Sequence, residues 1–245
     1  MILRISQSLG HDVWDYLQGH LGDVHADSST SPSDRAIGYL RTYLTGSNPV
    51  VGGAWPAIGR RFEHLGTPDD NPNVITATDL IAVSFLSVNV PPRAAWNILT
   101  TRAAALTEAL GRIPPELAIE DSGCTAKMYQ VASALQDLWN LLRRDEKGNL
   151  WKMGATTVSK VMARKRPALV PIQDSVVMRE LGSTDSTYWD QWWQAMHLHI
   201  DGHPVVAEFA RQLRESMPDA AHLSLLRTLD IVIWMHGMNG GIDPT

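Results

Sequence analysis

One cysteine, Cys124, is all that the 245 residues contain. That excludes an intrachain disulfide framework, a multi-cysteine zinc site and a four-cysteine iron–sulfur cluster. No apolar run approaches the ~20 residues that span a bilayer. The opening MILRISQSLGHDVWDYL has neither a continuous apolar core nor a cleavage-like end, so no signal peptide and a cytoplasmic location are expected. Strict alternation of apolar and polar residues is also missing; only residues 2–5 and 169–172 invite brief strand pairing. GAWPAIGRR and HGMNGG lack the strand–turn–helix setting of a phosphate-binding glycine loop. There is no internal repeat and no low-complexity tail.

What is present is helical periodicity in a globular composition, 44% hydrophobic and 19% charged. The length suits one globular unit or two small helical lobes with a sizeable core. Val13, Leu17 and Leu21 mark a helix over residues 8–22. Ser33 is placed to cap a helix running to Leu44. Residues 45–75 form a long Gly/Pro-rich stretch with a short helix at 56–65, a candidate lid or contact surface. Thr76 and Asp79 have capping-box spacing and open a helix to Leu86 that is apolar nearly all round, hence expected to be buried. Pro91-Pro92 starts a helix over 92–111 whose apolar side includes Trp96, Leu99, Leu106 and Leu110. Met128, Val131, Leu135, Leu138, Trp139 and Leu142 predict one helix over 125–144. Further helices are read at 156–164, 175–181, 186–199, 204–216 and 221–236. The fold class is all-α.

Net charge is −5, yet residues 143–166 hold eight basic and two acidic residues, leaving 13 basic and 24 acidic elsewhere. A local basic patch on an acidic body suits a phosphate backbone while discouraging indiscriminate binding; the bland alternative is a solvated helix face. The same region carries a motif. Leu150, Gly154, Thr157, Pro171, Asp174 and Val177 fall in register with a hairpin glycine, a following helix, and a Pro-x-x-Asp-x-x-Val segment. Gly154 suits a turn whose amides point outward, and amides at a helix start attract anions.

Residues 150–177 resemble the helix-hairpin-helix DNA glycosylases, with the motif as a whole over about 139–181. The remainder of the chain resembles an uncharacterised bacterial family. The glycosylase resemblance implies two helical lobes with a cleft between them and double-stranded DNA as partner. It also implies monofunctional removal of a damaged or modified base. In that family the hairpin amides hold a DNA phosphate and the aspartate serves excision. Carried over, Asp174 is the catalytic carboxylate; Lys152, Gly154, Thr156, Thr157, Lys160, Arg164 and Lys165 are the phosphate contacts. This chain departs from the pattern in three places. Trp151 stands for the proline, Lys152 for the first hairpin glycine, and Thr156 for the lysine that bifunctional members use.

Two readings accompany each candidate. Asp174 is an N-cap, a carboxylate facing a cationic sugar, or both. Trp189, Trp192 and Trp193 share a helical face and fit a core better than a base-stacking platform. His197 and His199 are two apart, a poor ligand pair on a helix, and Asp201 with His203 in a loop fits surface use better than a metal site. No metal and no cofactor are therefore expected. The alternative to an enzyme is a non-catalytic helix-hairpin-helix module that binds DNA or a protein. A fold relative that has left nucleic acid, as the acidic body suggests, is the third reading.

Overall fold

The computed structural model describes residues 8–25, 29–46, 58–66, 71–145 and 147–240. Among them are eleven α-helices and two very short antiparallel hairpins, an all-α fold. No helix of the described residues is long and apolar enough to cross a membrane. The expected pairing at 2–5 and residues 47–57 and 67–70 of the 45–75 candidate lid lie outside the described residues; the short helix expected at 56–65 is a 3-10 turn at Gly59–Arg61. The chain divides into two units. One takes the described residues up to 46 and those from Asp174 on, and the other begins at Ile58 and ends at Gln173.

The first unit holds α1 (Ser8–His20), α2 (Asp34–Thr45), α8 (Ser175–Glu180), α9 (Tyr188–Met196), α10 (Val205–Glu215) and α11 (Leu225–Met238). Hairpin β1–β2 joins Gly22–Val24 to Thr30–Pro32, and β3–β4 joins His199–Ile200 to His203–Pro204. Helix α11 is buried on nearly every side and packs against α2, α8 and α10, with its buried Arg227 paired to Asp230. Ser224 caps it by accepting from the Arg227 amide at 3.1 Å. Ser33 caps α2 in the same way, accepting from the Ala36 amide at 3.3 Å. Gly10 lets α1 lie close on α9, for a Cβ there would stand 2.9 Å from the Gln194 backbone. Trp192 and Tyr188 are fully buried, so the aromatic cluster builds core.

Within this unit Tyr16, His20, Glu180 and His236 meet. The Tyr16 hydroxyl lies 2.7 Å from His236 Nδ1 and donates to Glu180 Oε2 at 3.3 Å. The His20 and His236 rings are 5.1 Å apart. Burial, reinforced by His20, holds the His236 imidazole below its ordinary pKa despite the opposing pull of Glu180. His236 is therefore neutral when folded and gains a proton on unfolding. Its contribution is complete above the unfolded imidazole pKa of ~6.5 and is lost as pH falls toward the folded value. As pH falls below about 6.5, the urea midpoint should accordingly drop more steeply in the wild type than in His236→Asn. Parallel curves would contradict this.

The second unit holds α3 (Ala77–Ser84), α4 (Pro92–Leu99), α5 (Ala103–Gly111), α6 (Ala134–Arg143) and α7 (Ala155–Lys165). The Thr76–Asp79 capping box forms in full. Three sequence expectations are corrected here. The helix over 92–111 is two helices, broken at Thr100–Arg102, where the Thr100 hydroxyl turns back onto the Trp96 carbonyl at 2.6 Å. The helix over 125–144 is a 3-10 turn at Ala126–Tyr129 followed by α6. Ala132 between them takes φ +68 and Ser133 caps α6. Third, Trp96 and Val131, read as core, are 68% and 90% exposed.

Candidate nucleic-acid interface

The hairpin begins where α6 ends. Arg144 and Leu150 pair as an isolated antiparallel bridge, so Leu150 ends no helix. The turn between them is closed by Asp145. Its carboxylate accepts from the Lys147 and Asn149 amides at 2.9 and 2.8 Å and from Asn149 Nδ2 at 3.3 Å. The hydrogen bond from the Asn149 backbone chiefly holds the Asp145 carboxyl below the usual range, so it stays ionised. Gly148, at φ +79, supplies the left-handed residue this turn needs.

Trp151 is buried and its indole donates to the Leu142 carbonyl at 2.6 Å, while the Arg102 guanidinium lies 5.0 Å from its ring centroid. The tryptophan thus ties the hairpin to the end of α6. Lys152 adopts φ +67, the left-handed conformation, and its side chain is exposed. Gly154, by contrast, sits at φ −73 in ordinary extended backbone as the N-cap of α7, with no side-chain cap. The sequence alone suggests Gly154 as the special backbone position; in the structure that position is Lys152. A Cβ on Gly154 would meet nothing within 4 Å, so the start of α7 is open. Thr156 and Thr157 lie in its first turn, partly buried.

The basic run beyond that turn does something else. Lys160 is buried and donates to the Leu86 carbonyl at 2.8 Å. Arg164 reaches the carbonyls of Phe62 and Glu63 at 2.6 and 3.0 Å, that of Leu65, and Asp79 Oδ1 at 3.2 Å. Lys165 donates to Asp79 Oδ2 at 3.1 Å and to the Asn71 carbonyl at 3.3 Å. Arg166, fully buried, donates to the carbonyls of Leu110, Ile113, Pro72 and Lys165 and to Asn73 Oδ1, all within 2.9 Å. Burial brings its guanidinium down to about 10, and it remains charged at neutral pH. Charges out of water need such partners. Lys160, Arg164 and Lys165, expected as phosphate contacts, are thus committed to holding the unit together.

The cations facing outward lie elsewhere. An open cleft of about 770 Å³ beside the hairpin is lined by Arg93, Arg102, Lys147 and Lys152, with Asn97, Asn149 and Thr101 among its polar walls. Asp145 is the carboxylate among the described residues of that lining. Arg93 comes from the first turn of α4, and nothing in the sequence near residue 150 announces it. Lys152 is the basic residue shared with the sequence expectation.

Asp174 opens α8 in the other unit. Its Oδ1 accepts from the Val176 amide at 3.0 Å, so it is an N-cap, and it is partly buried. His199 Nδ1 lies against the His197 carbonyl at 2.9 Å. Among the described residues no group of three or more His, Cys, Asp or Glu is placed to hold a metal. Cys124 is buried against Tyr129, with burial pushing its thiol up.

Comparison with curated proteins and with solved structures yields no match to either. A family model matches residues 36–237, which include both the hairpin and Asp174. The chain therefore belongs to the family of unknown function DUF6308.

Proposed function

We propose that this chain binds the phosphate backbone of DNA through the hairpin at 144–155 and removes a damaged or modified base by hydrolysis, without a lysine adduct. The observation that carries the binding step is the left-handed backbone of Lys152. It stands at the hairpin position where the resembled family has glycine, and it is followed by an open, uncapped helix start at Gly154. Left-handed backbone strains an L-residue, and here it turns a lysine outward beside amides that lack intrahelical acceptors. The outward cations Arg93, Lys147 and Lys152 supply the charge that the buried run cannot. For the excision step the support is Asp174, in register with the family's aspartate and held by its cap. Carboxylates near a sugar stabilise the cation that develops when a base leaves.

A second reading, a binding module without catalysis, is favoured by one observation. The Asp174 carboxylate already serves as the cap of α8.

The binding step is tested by titrating labelled duplex with salt. Affinity should fall steeply as counterions are released. Lys152→Gly should raise the urea midpoint, relieving about 0.5–1 kcal/mol of backbone strain. The same substitution should weaken duplex binding and flatten the salt slope by about one ion. Salt-independent affinity, or none at low salt, would remove the DNA reading.

A further inference from the structure

Trp96 is the exposed side chain least explained by the fold. It is 68% exposed on α4, a helix whose buried residues are Ala94 and Ile98. Residues three and four apart share a helix face. Arg93 and Pro92 therefore stand beside Trp96 one turn back, with Asn97 next along the chain, and all three line the basic cleft. Across that cleft lie Lys147, Asn149 and Lys152 of the hairpin.

The occupant follows from the chemistry. A large apolar patch would suit a protein partner, but one turn back from Trp96 on this face stand an arginine and a proline, and the large exposed apolar side chain of the described cleft lining is Leu150. An exposed indole beside a cleft lined by cations suits a ligand that has both a flat ring and a negative charge. Duplex DNA presents phosphates but keeps its rings stacked inside; unpaired nucleotides present both.

Resting on the DNA-binding reading above, we infer that this cleft and its edge take unpaired nucleotides of DNA, with phosphates on Arg93, Lys147 and Lys152 in the lining and a base stacked on the Trp96 indole, which stands outside the lining one helical turn from Arg93. Among the described lining residues there are four cations and one carboxylate, Asp145. Its oxygens are turned into the hairpin by the Lys147 and Asn149 amides. Arg102 is held by the Leu141 carbonyl at 3.0 Å and by the Trp151 ring, so it contributes field more than contact. Stacking requires no base identity, because every base has a π face, so the preference is for unpaired structure and not for sequence.

The test uses the full chain and a fluorescein-labelled thymidine 12-mer, single-stranded and as its perfect duplex, followed by anisotropy at low salt. Trp96→Ala should weaken single-strand binding roughly 5- to 100-fold and leave duplex binding within about twofold. Trp96→Phe should restore most of the loss. The exposed indole makes few packing contacts, and circular dichroism of each variant checks the fold. If Trp96→Ala binds both probes as the wild type does while Lys152→Glu weakens both, the stacking inference is overturned and DNA binding stands. If the wild type binds neither probe, DNA binding itself fails. Tighter binding of a uridine 12-mer than of the thymidine one would overturn the choice of DNA.

Discussion

Asp79→Ala should unfold the second unit or bring it to the edge of unfolding. The carboxylate is almost fully buried and serves three partners at once. Arg164 meets Oδ1, Lys165 meets Oδ2, and the Thr76 amide and hydroxyl donate to Oδ2 at 2.8 and 3.0 Å. Removing one member of a buried ion pair leaves the other charged and uncompensated, at a cost of about 3–5 kcal/mol. Loss of the capping box adds about 1 kcal/mol. Against a usual domain stability of about 5–15 kcal/mol, that is from about a quarter of the total to all of it. Arg164 would keep its carbonyls, but Lys165 would retain only Asn71. Asp79→Asn should fall between, since the amide preserves an acceptor for the cap without the charge. Urea unfolding followed by far-ultraviolet dichroism measures the loss. An Asp79→Ala midpoint equal to the wild type would show that the cluster contributes nothing net.

Asp174→Asn should leave the fold almost untouched and abolish most base release. Asparagine caps helices about as well as aspartate, so the stability cost is a few tenths to ~1 kcal/mol. The charge is what the substitution removes. If the carboxylate stabilises a cationic sugar, losing it costs on the order of a hundredfold or more in rate, about 2.7 kcal/mol of barrier. DNA affinity should persist or tighten slightly, because a like charge near phosphate is gone. The measurement is single-turnover release from a lesion-bearing duplex that the wild type cleaves. Equal rates for the two proteins would end the catalytic role, and an unfolded variant would assign Asp174 to structure alone. Because Thr156 stands where bifunctional members of the resembled glycosylases have lysine, borohydride should trap no covalent adduct with the wild type. Lys152 is exposed and is the residue to examine if an adduct forms.

Signals that act within a few residues were legible in the chain. Ser33, the Thr76–Asp79 pair and Asp174 each begin a helix as their chemistry requires, because a cap and its amide are neighbours in sequence. The breaks at 100–102 and 130–133 were not, since neither carries glycine or proline and the apolar stripe runs on through both. The larger miss was the meaning of charge. Lys160, Arg164, Lys165 and Arg166 read as a basic face because their acceptors lie far along the chain, on Leu86, Phe62, Asp79 and Leu110. For the same reason Arg93 was invisible as a partner of the hairpin, being 59 positions from Lys152 and joined to it only by the cleft. The residues that depart from the resembled glycosylase motif were legible as departures, but what they do in the fold was not. Trp151 makes an indole hydrogen bond to α6, and Lys152 takes left-handed backbone.

The turn closed by Asp145 also bears on speed. Its Lys147, Gly148 and Asn149 amides are already satisfied and its left-handed residue already set before any ligand arrives, so little ordering entropy remains to be lost on contact. Encounter should then proceed at a rate governed by diffusion and steering, with affinity differences among variants of the cleft expressed in how long a complex survives. Loosening that turn would instead lower the fraction of productive collisions and slow association, even if every cation stayed in place.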